Sequence, residues 1–277
     1  MLVPSKAMLD TALKQGYAIP SPDYVDSNSC RAFVQVASDF NAPLILSFAE
    51  VHMDHLSLEE AADLGTFYAK RSDAPIALHL DHGVHFDVIE QAMRLGFTSV
   101  MIDASRESLD ENIRLTREVC KLAHAFGVTV EAEIGHVGAE DTDCPHGTSS
   151  NVYTEVASAK RLIDETGVDS LAVSIGTSHG VYKLGTPHIN FERLAELNDA
   201  LDTPLVLHGG SGTGDENLAR CAAGGVAKVN LYTDFIVAAL NRVYDEHPDH
   251  WLNVLEGGSA AMRDTLAHYY HVLGCVK

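Results

Sequence analysis

A parallel (β/α)₈ barrel, the TIM-barrel class of α/β fold, is predicted by three observations. Short apolar runs alternate with longer segments of helical period across all 277 residues. Eight such runs can be counted, and nearly every one closes on polar, chemistry-bearing residues, as strands do at the C-terminal face of a barrel. The length suits one barrel of roughly 250 residues plus terminal helices, so 1–277 is read as a single domain. A doubly wound open sheet is the competing architecture, but its first strand-to-helix turn usually carries a glycine fingerprint. Here that turn reads IPSPDYVD.

In chain order the strands are expected at 17–20, 43–47, 76–80, 99–103, 129–133, 170–175, 205–207 and 226–229. Helices are expected between them. At 57–71, Leu58, Ala61, Ala62, Leu64 and Gly65 form an apolar stripe, and at 109–126 Ile113, Leu115, Val119, Leu122 and Ala123 do the same. The strand ends converge on one rim. They supply Ser47, Asp81 and His82, Asp103, the pair Glu131 and Glu133, then Thr177, Ser178 and His179, His208, and Lys228 with Asn230.

Composition limits the partners. With 46% hydrophobic and 21% charged residues the chain is that of a folded globular protein. A formal net charge of −20 opposes binding to nucleic acid or anionic lipid, so neither nucleic acid nor membrane is expected as a partner. An anionic ligand would need local help from a metal, a helix N-terminus or single basic residues. The five cysteines are odd in number, widely spaced and never in a C-x-x-C pair, which fits a reducing cytoplasm and no disulfide framework. The opening segment is amphipathic and acquires charge too early for a signal peptide, and no apolar run approaches the 18 residues of a membrane span.

Of the 15 histidines, His124, His188, His247, His250, His268 and His271 lie in helix or loop context and carry the ordinary reading of surface or capping residues. His82, His179 and His208 each follow a predicted strand at positions the barrel brings together, and three neutral imidazoles with an open fourth position make a catalytic zinc site. Asp81 could serve as general acid or base, or orient a ligand from behind. Glu131 and Glu133, two apart on one strand, face the same way; two inward carboxylates need a cation, and Lys228, the one inward basic candidate, is expected to lie too far around the barrel to supply it. HGGSG at 208–212 and VNLYT at 229–233 follow the seventh and eighth strands, where barrels commonly bind phosphate through backbone N–H groups.

Five ordered motifs carry a resemblance: LHLDHG at 78–83, VEAEIG at 130–135, IGTSHGVYK at 175–183, LHGGSG at 207–212 and KVNLYT at 228–233. Together they resemble the class II, zinc-dependent ketose-bisphosphate aldolases, most of all the tagatose- and fructose-bisphosphate aldolases. The resemblance implies a homodimeric or homotetrameric barrel that splits a ketose bisphosphate into dihydroxyacetone phosphate and an aldehyde. It implies one Zn²⁺ on His82, His179 and His208, with Glu133 near enough to be an alternative ligand, and a monovalent cation (Na⁺ or K⁺) near the phosphate. It implies Asp81 as proton donor and Asp141, with Glu140 beside it, as the second proton-handling carboxylate. Substrate contacts carry over to Ser47, Gly180, Lys183, Gly209, Gly210, Ser211, Asn230, Leu231, Tyr232 and Thr233.

The sequence departs from that family at the far end of the substrate. Pro22 and Asp23 replace the usual AFN, the loop after the second strand has gained Glu50, His52, Asp54 and His55, and Asn253 stands where an arginine for a distal phosphate is expected. These departures point to an aldolase of the same family that takes a ketose 1-phosphate and a different aldehyde. A barrel metal-dependent hydrolase is a weaker alternative, since it would want an H-x-H after the first strand, and an idle binding protein is weaker still.

Overall fold

In the computed structural model, which describes residues 1–135, 153–180, 182 and 185–276, eight parallel strands form a nearly closed (β/α)₈ barrel. The strands are β1 (Ile19–Pro22), β2 (Leu44–Ala49), β3 (Ile76–Gly83), β4 (Ser99–Ile102), β5 (Thr129–Ile134), β6 (Ser170–Val173), β7 (Leu205–Leu207) and β8 (Val226–Leu231). The helices are α1 (Lys6–Gln15), α2 (Ser27–Phe40), α3 (Leu58–Ala69), α4 (Phe86–Leu95), α5 (Leu109–Phe126), α6 (Val156–Thr166), α7 (Phe191–Ala200), α8 (Asp215–Ala223), α9 (Thr233–Glu246) and α10 (Trp251–Val272). A 3₁₀ turn, Glu50–Asp54, follows β2. From β2 to β8 each strand pairs with its sequence neighbour, and β1 pairs β8. Between β1 and β2 the ladder reduces to one bridge, Asp23 opposite Ser47, reinforced by the Tyr24 N–H donating to the Ser47 carbonyl at 2.9 Å. No helix among the described residues is long and apolar enough to cross a membrane.

The sequence explains the layering. Helices begin at caps such as Asp26, Ser57 and Ser108, whose side chains accept backbone N–H bonds in the first turn. Outward-facing strand residues such as Leu78, Val130 and Ala132 pack with helix residues such as Ala61, Ile113 and Val119 in one continuous buried layer. Inside the barrel a second, small apolar cluster joins Met8, Leu9 and Ala12 of α1 to Ile19, Ile45, Ala77 and Ala227. This plug seals the N-terminal end.

Above the plug the two-residue period of the strands turns polar side chains inward. β1 reads Ile19, Ser21 and then Asp23 just past its end; β3 reads Ala77, His79, Asp81. β2 and β3 run further than their apolar stretches alone predicted, because these inward polar residues are still hydrogen-bonded strand, whereas β4 and β6 end earlier, at Ile102 and Val173. β2 reaches Ala49 rather than residue 47, and β3 reaches Gly83 rather than residue 80. Ser47 therefore lies one layer down, fully buried and 2.6 Å from the Ser21 hydroxyl, while Ala49 lines the cavity above. Ser47 is not at the cavity surface where the sequence placed it.

Candidate active site and metal centre

A cavity of about 310 Å³ opens at the C-terminal end of the strands. Its walls include Asp23, Ala49, His52, Asp81, His82, His179, Gly180, Gly209, Gly210, Ser211, Asn230, Leu231, Tyr232 and Thr233. Of the residues singled out from sequence, Asp141, Glu140 and Lys183 lie outside the described residues. Asn253 is exposed on α10 and away from the cavity walls.

Adjacent strand residues normally point to opposite faces, yet Asp81 and His82 both reach the cavity. The chain achieves this by a local break. His82 adopts φ +47°, in the left-handed region, and the pairing of β3 with β4 shifts register between Leu80 and Gly83. Bulges of this kind re-aim side chains beside active sites. Left-handed backbone at a non-glycine residue costs roughly 1–3 kcal/mol and persists only where the surroundings over-determine it.

Donor nitrogens of His82, His179 and His208 all lie within 4.8 Å of one another. The outer nitrogens are already engaged. His82 Nδ1 is 2.9 Å from Asp103 Oδ2, and Asp103 is itself held by the Ser105 N–H and hydroxyl. His208 Nε2 is 2.9 Å from Glu131 Oε1. With those carboxylates taking the ring protons, His82 Nε2 and His208 Nδ1 face each other as lone pairs at 2.9 Å, an arrangement that demands a cation between them. Either a proton or a metal ion answers that demand, and imidazoles oriented by carboxylates are the usual donor set for a transition metal. The donor set fits a divalent cation.

Electrostatics point the same way. Burial depresses His82, but Asp81, the hydrogen bond to Asp103 and the Glu133 charge outweigh it and raise its pKa to about 10. Burial and the His82 charge hold His208 well below its ordinary value. Burial pushes Asp81 up, yet His82, His208, Lys228 and a 2.6 Å hydrogen bond from Asn230 Nδ2 together hold it down at about 2. Asp81 is thus a buried carboxylate, ionised at neutral pH. Glu133 forms a further potential donor group with His82 and Asp103.

Beneath the histidines lies a network that sequence reasoning missed. Lys228 Nζ donates to Glu131 Oε2 at 2.7 Å and to His79 Nε2 at 3.1 Å, and His79 Nδ1 meets the Ser99 hydroxyl at 2.8 Å. The expectation that Lys228 is too remote from Glu131 is wrong. Around the rim the two strands are far apart, but across the filled interior of an eight-stranded barrel their side chains touch.

Opposite Asp81, the turns after β7 and β8 form a cradle of backbone. A Cβ on Gly209 would sit 2.4 Å from the Ser178 carbonyl oxygen, and one on Gly210 would sit 2.8 Å from the Asn230 carbonyl oxygen, so only glycine admits this close approach. α9 starts at Thr233 and α8 at Asp215. Ser211 Oγ accepts from the Tyr232 and Asp234 N–H groups. The Tyr182 hydroxyl, which the sequence did not flag, ties the β6 and β7 turns together. It accepts from the Ser178 N–H at 2.8 Å and lies 3.1 Å from the Gly209 carbonyl.

Of the acidic residues expected at the far end, only Asp23 lines the cavity. Glu50 turns away, its carboxylate accepting from Val84 N–H at 2.7 Å and pairing with the His85 ring. Asp54 is exposed at the end of the 3₁₀ turn. Their loop position, invisible in sequence order, separates them from Asp23.

The family described as fructose-bisphosphate aldolase class-II matches residues 3–277. Among solved structures, the YdjI aldolase from Escherichia coli K12 is 30% identical, with a TM-score of 0.90 over 100% of this chain and 98% of its own. Fructose-bisphosphate aldolase from Campylobacter jejuni superposes with a TM-score of 0.84 over 99% and 96% of the two chains; at 24% identity this likeness speaks to the fold. Full-length family agreement, the barrel and the histidine cluster at its C-terminal face converge: the chain belongs to the class II fructose-bisphosphate aldolase family.

Proposed function

We propose that this carbon–carbon lyase cleaves, reversibly, a ketose bearing a C1 phosphate into dihydroxyacetone phosphate and an aldehyde, using one divalent metal, zinc by preference. The observation that carries this reading is the facing pair of imidazole nitrogens, each fixed from behind by a carboxylate, with an ionised aspartate beside them. The metal is held by His82, His179 and His208, with Glu133 as an alternative ligand. A cation there supplies the electrophile that polarises the substrate carbonyl.

The remaining work belongs to the chain's own groups. Asp81, kept ionised, takes the proton of the C4 hydroxyl during cleavage and returns it to the aldehyde oxygen in condensation. Asn230 holds one Asp81 oxygen in place, leaving the other for substrate. Gly180, Gly209, Gly210, Ser211, Leu231, Tyr232 and Thr233 bind the C1 phosphate at the start of α9, where the helix dipole favours an anion; with the Tyr232 and Asp234 N–H groups donating to Ser211 Oγ, the Thr233 N–H is the donor proposed there. Lys183 is proposed as a further phosphate contact, and Asp141 as the group that handles the C3 proton. A homodimer or homotetramer is proposed on the exposed apolar side chains of α9 and α10, namely Val237, Leu240, Tyr244, Trp251 and Leu252.

Exhaustive chelation is expected to abolish dihydroxyacetone phosphate release, and zinc to restore it at one ion per chain by elemental analysis. His82→Ala should bind little metal under the same conditions. Full activity after chelation, or a metal retained by the His82 variant, would remove the three-histidine centre from the reaction.

A further inference from the structure

The two ends of the cavity differ in chemistry. One is the backbone cradle around Gly209 and Thr233. The other is built by Asp23, just beyond β1, and His52, in the 3₁₀ turn after β2, and it adjoins the cradle at Leu231 and Tyr232. Asp23 is 7% exposed and its Oδ1 has no hydrogen-bond partner among the described residues. Its main chain is fixed by the N–H bond to the Leu231 carbonyl and by the bridge to Ser47. His52 Nδ1 is likewise buried without a partner among the described residues. Its ring is pinned between Tyr232, at 4.9 Å, and Phe48, at 6.4 Å. A buried polar atom left unpaired is unfavourable, so two of them on one wall of a substrate cavity mark places where a ligand completes the bonding. None of the described residues lining the cavity is Lys or Arg.

We propose that Asp23 and His52 bind hydroxyl groups on the aldehyde half of the substrate, which is therefore a ketose 1-phosphate with a free polyhydroxylated far end and no second phosphate. A hydroxyl can donate to Asp23 Oδ1 and can either donate to or accept from His52 Nδ1. A phosphate dianion brings acceptors only and finds no Lys or Arg among the described residues of the cavity wall, whereas a hydroxyl satisfies Asp23, whose pKa burial and the Asp81 charge raise, in either protonation state. Burial lowers the His52 pKa, which weakens that ring as a cationic partner for a phosphate.

This inference rests on the aldolase reading, and the test separates the two. Hydrogen exchange at C3 of dihydroxyacetone phosphate alone needs the phosphate end, the metal and the base proposed at Asp141, but not the Asp23 and His52 wall. Metal-loaded enzyme should catalyse it, and no exchange would overturn the aldolase reading itself. With exchange established, kcat/KM is compared for fructose and tagatose 1-phosphates against the corresponding 1,6-bisphosphates, matched in stereochemistry. At least a tenfold preference for the monophosphates is expected; equal efficiency or a preference for either bisphosphate overturns the inference. In condensation, Asp23→Ala and His52→Ala should each lose about tenfold more efficiency with glyceraldehyde than with acetaldehyde, the scale of one hydrogen bond. Asp23→Asn, which keeps the shape and an acceptor, should lose less. Equal losses on both aldehydes would show that the pair does not read hydroxyls.

Discussion

Asp81→Ala is expected to lower cleavage by about 10²–10⁴-fold, the range for a positioned general acid or base, while metal content and fold stay intact. The side chain is 2% exposed, one oxygen is taken by Asn230, and the other lies 3.8 Å from His82 Nε2. That geometry supports two roles with different signatures. If Asp81 carries the proton, turnover falls and metal stays; if it serves mainly to hold His82, metal content falls with turnover. Measuring both on one preparation decides between them, and unchanged turnover would take Asp81 out of the mechanism. Asp81→Asn is the companion variant, since its amide oxygen can still accept from Asn230. The folded-state pKa of about 2 lies below the ordinary 3.8. The ionised form therefore contributes stability above the ordinary value, and that contribution disappears as pH falls from there through the folded value. The asparagine variant should lack this acid-side dependence.

The barrel and much of the rim were legible because each rests on a strong local signal. Eight apolar runs mark eight strands, and the residues that close them become the floor and walls of the cavity. His82, His179 and His208 could be grouped from strand order alone, since barrel topology brings successive strand ends onto one face. Three features were not legible, each for a physical reason. The bulge at His82 depends on backbone strain that no residue type announces; histidine tolerates the left-handed region better than most residues but does not demand it. The Lys228 to Glu131 contact depends on the interior width of the barrel rather than on order around it. The fates of Glu50 and Asp54 depend on how a 3₁₀ turn folds back, so only Asp23, tied to β1, stayed where its sequence position placed it.

Lys228→Met is expected to destabilise the protein by about 3–5 kcal/mol, the cost of breaking a buried ion pair from one side. Lys228 and Glu131 are each 1% exposed, at 2.7 Å, in the middle of a barrel whose lower end is plugged by α1. Methionine fills nearly the same space but strands the Glu131 charge with His208, at 2.9 Å, and His79, at 3.9 Å, as its remaining partners, and leaves His79 Nε2 without its lysine donor. Glu131 cannot escape by turning to solvent. Adding Glu131→Gln to the lysine variant removes the stranded charge while keeping an oxygen for His208, so urea unfolding should recover at least half of the loss. This pair also supports the metal centre, because Glu131 sets the His208 tautomer and outer groups of this kind typically change metal affinity by about 10–100-fold. The double variant, which lacks that carboxylate, should therefore hold metal less tightly than Lys228→Met alone. A single variant within about 1 kcal/mol of the parent, the scale of an exposed pair, would mean the interior is wet enough to screen Glu131. The ion pair would then not be what holds His208 in place.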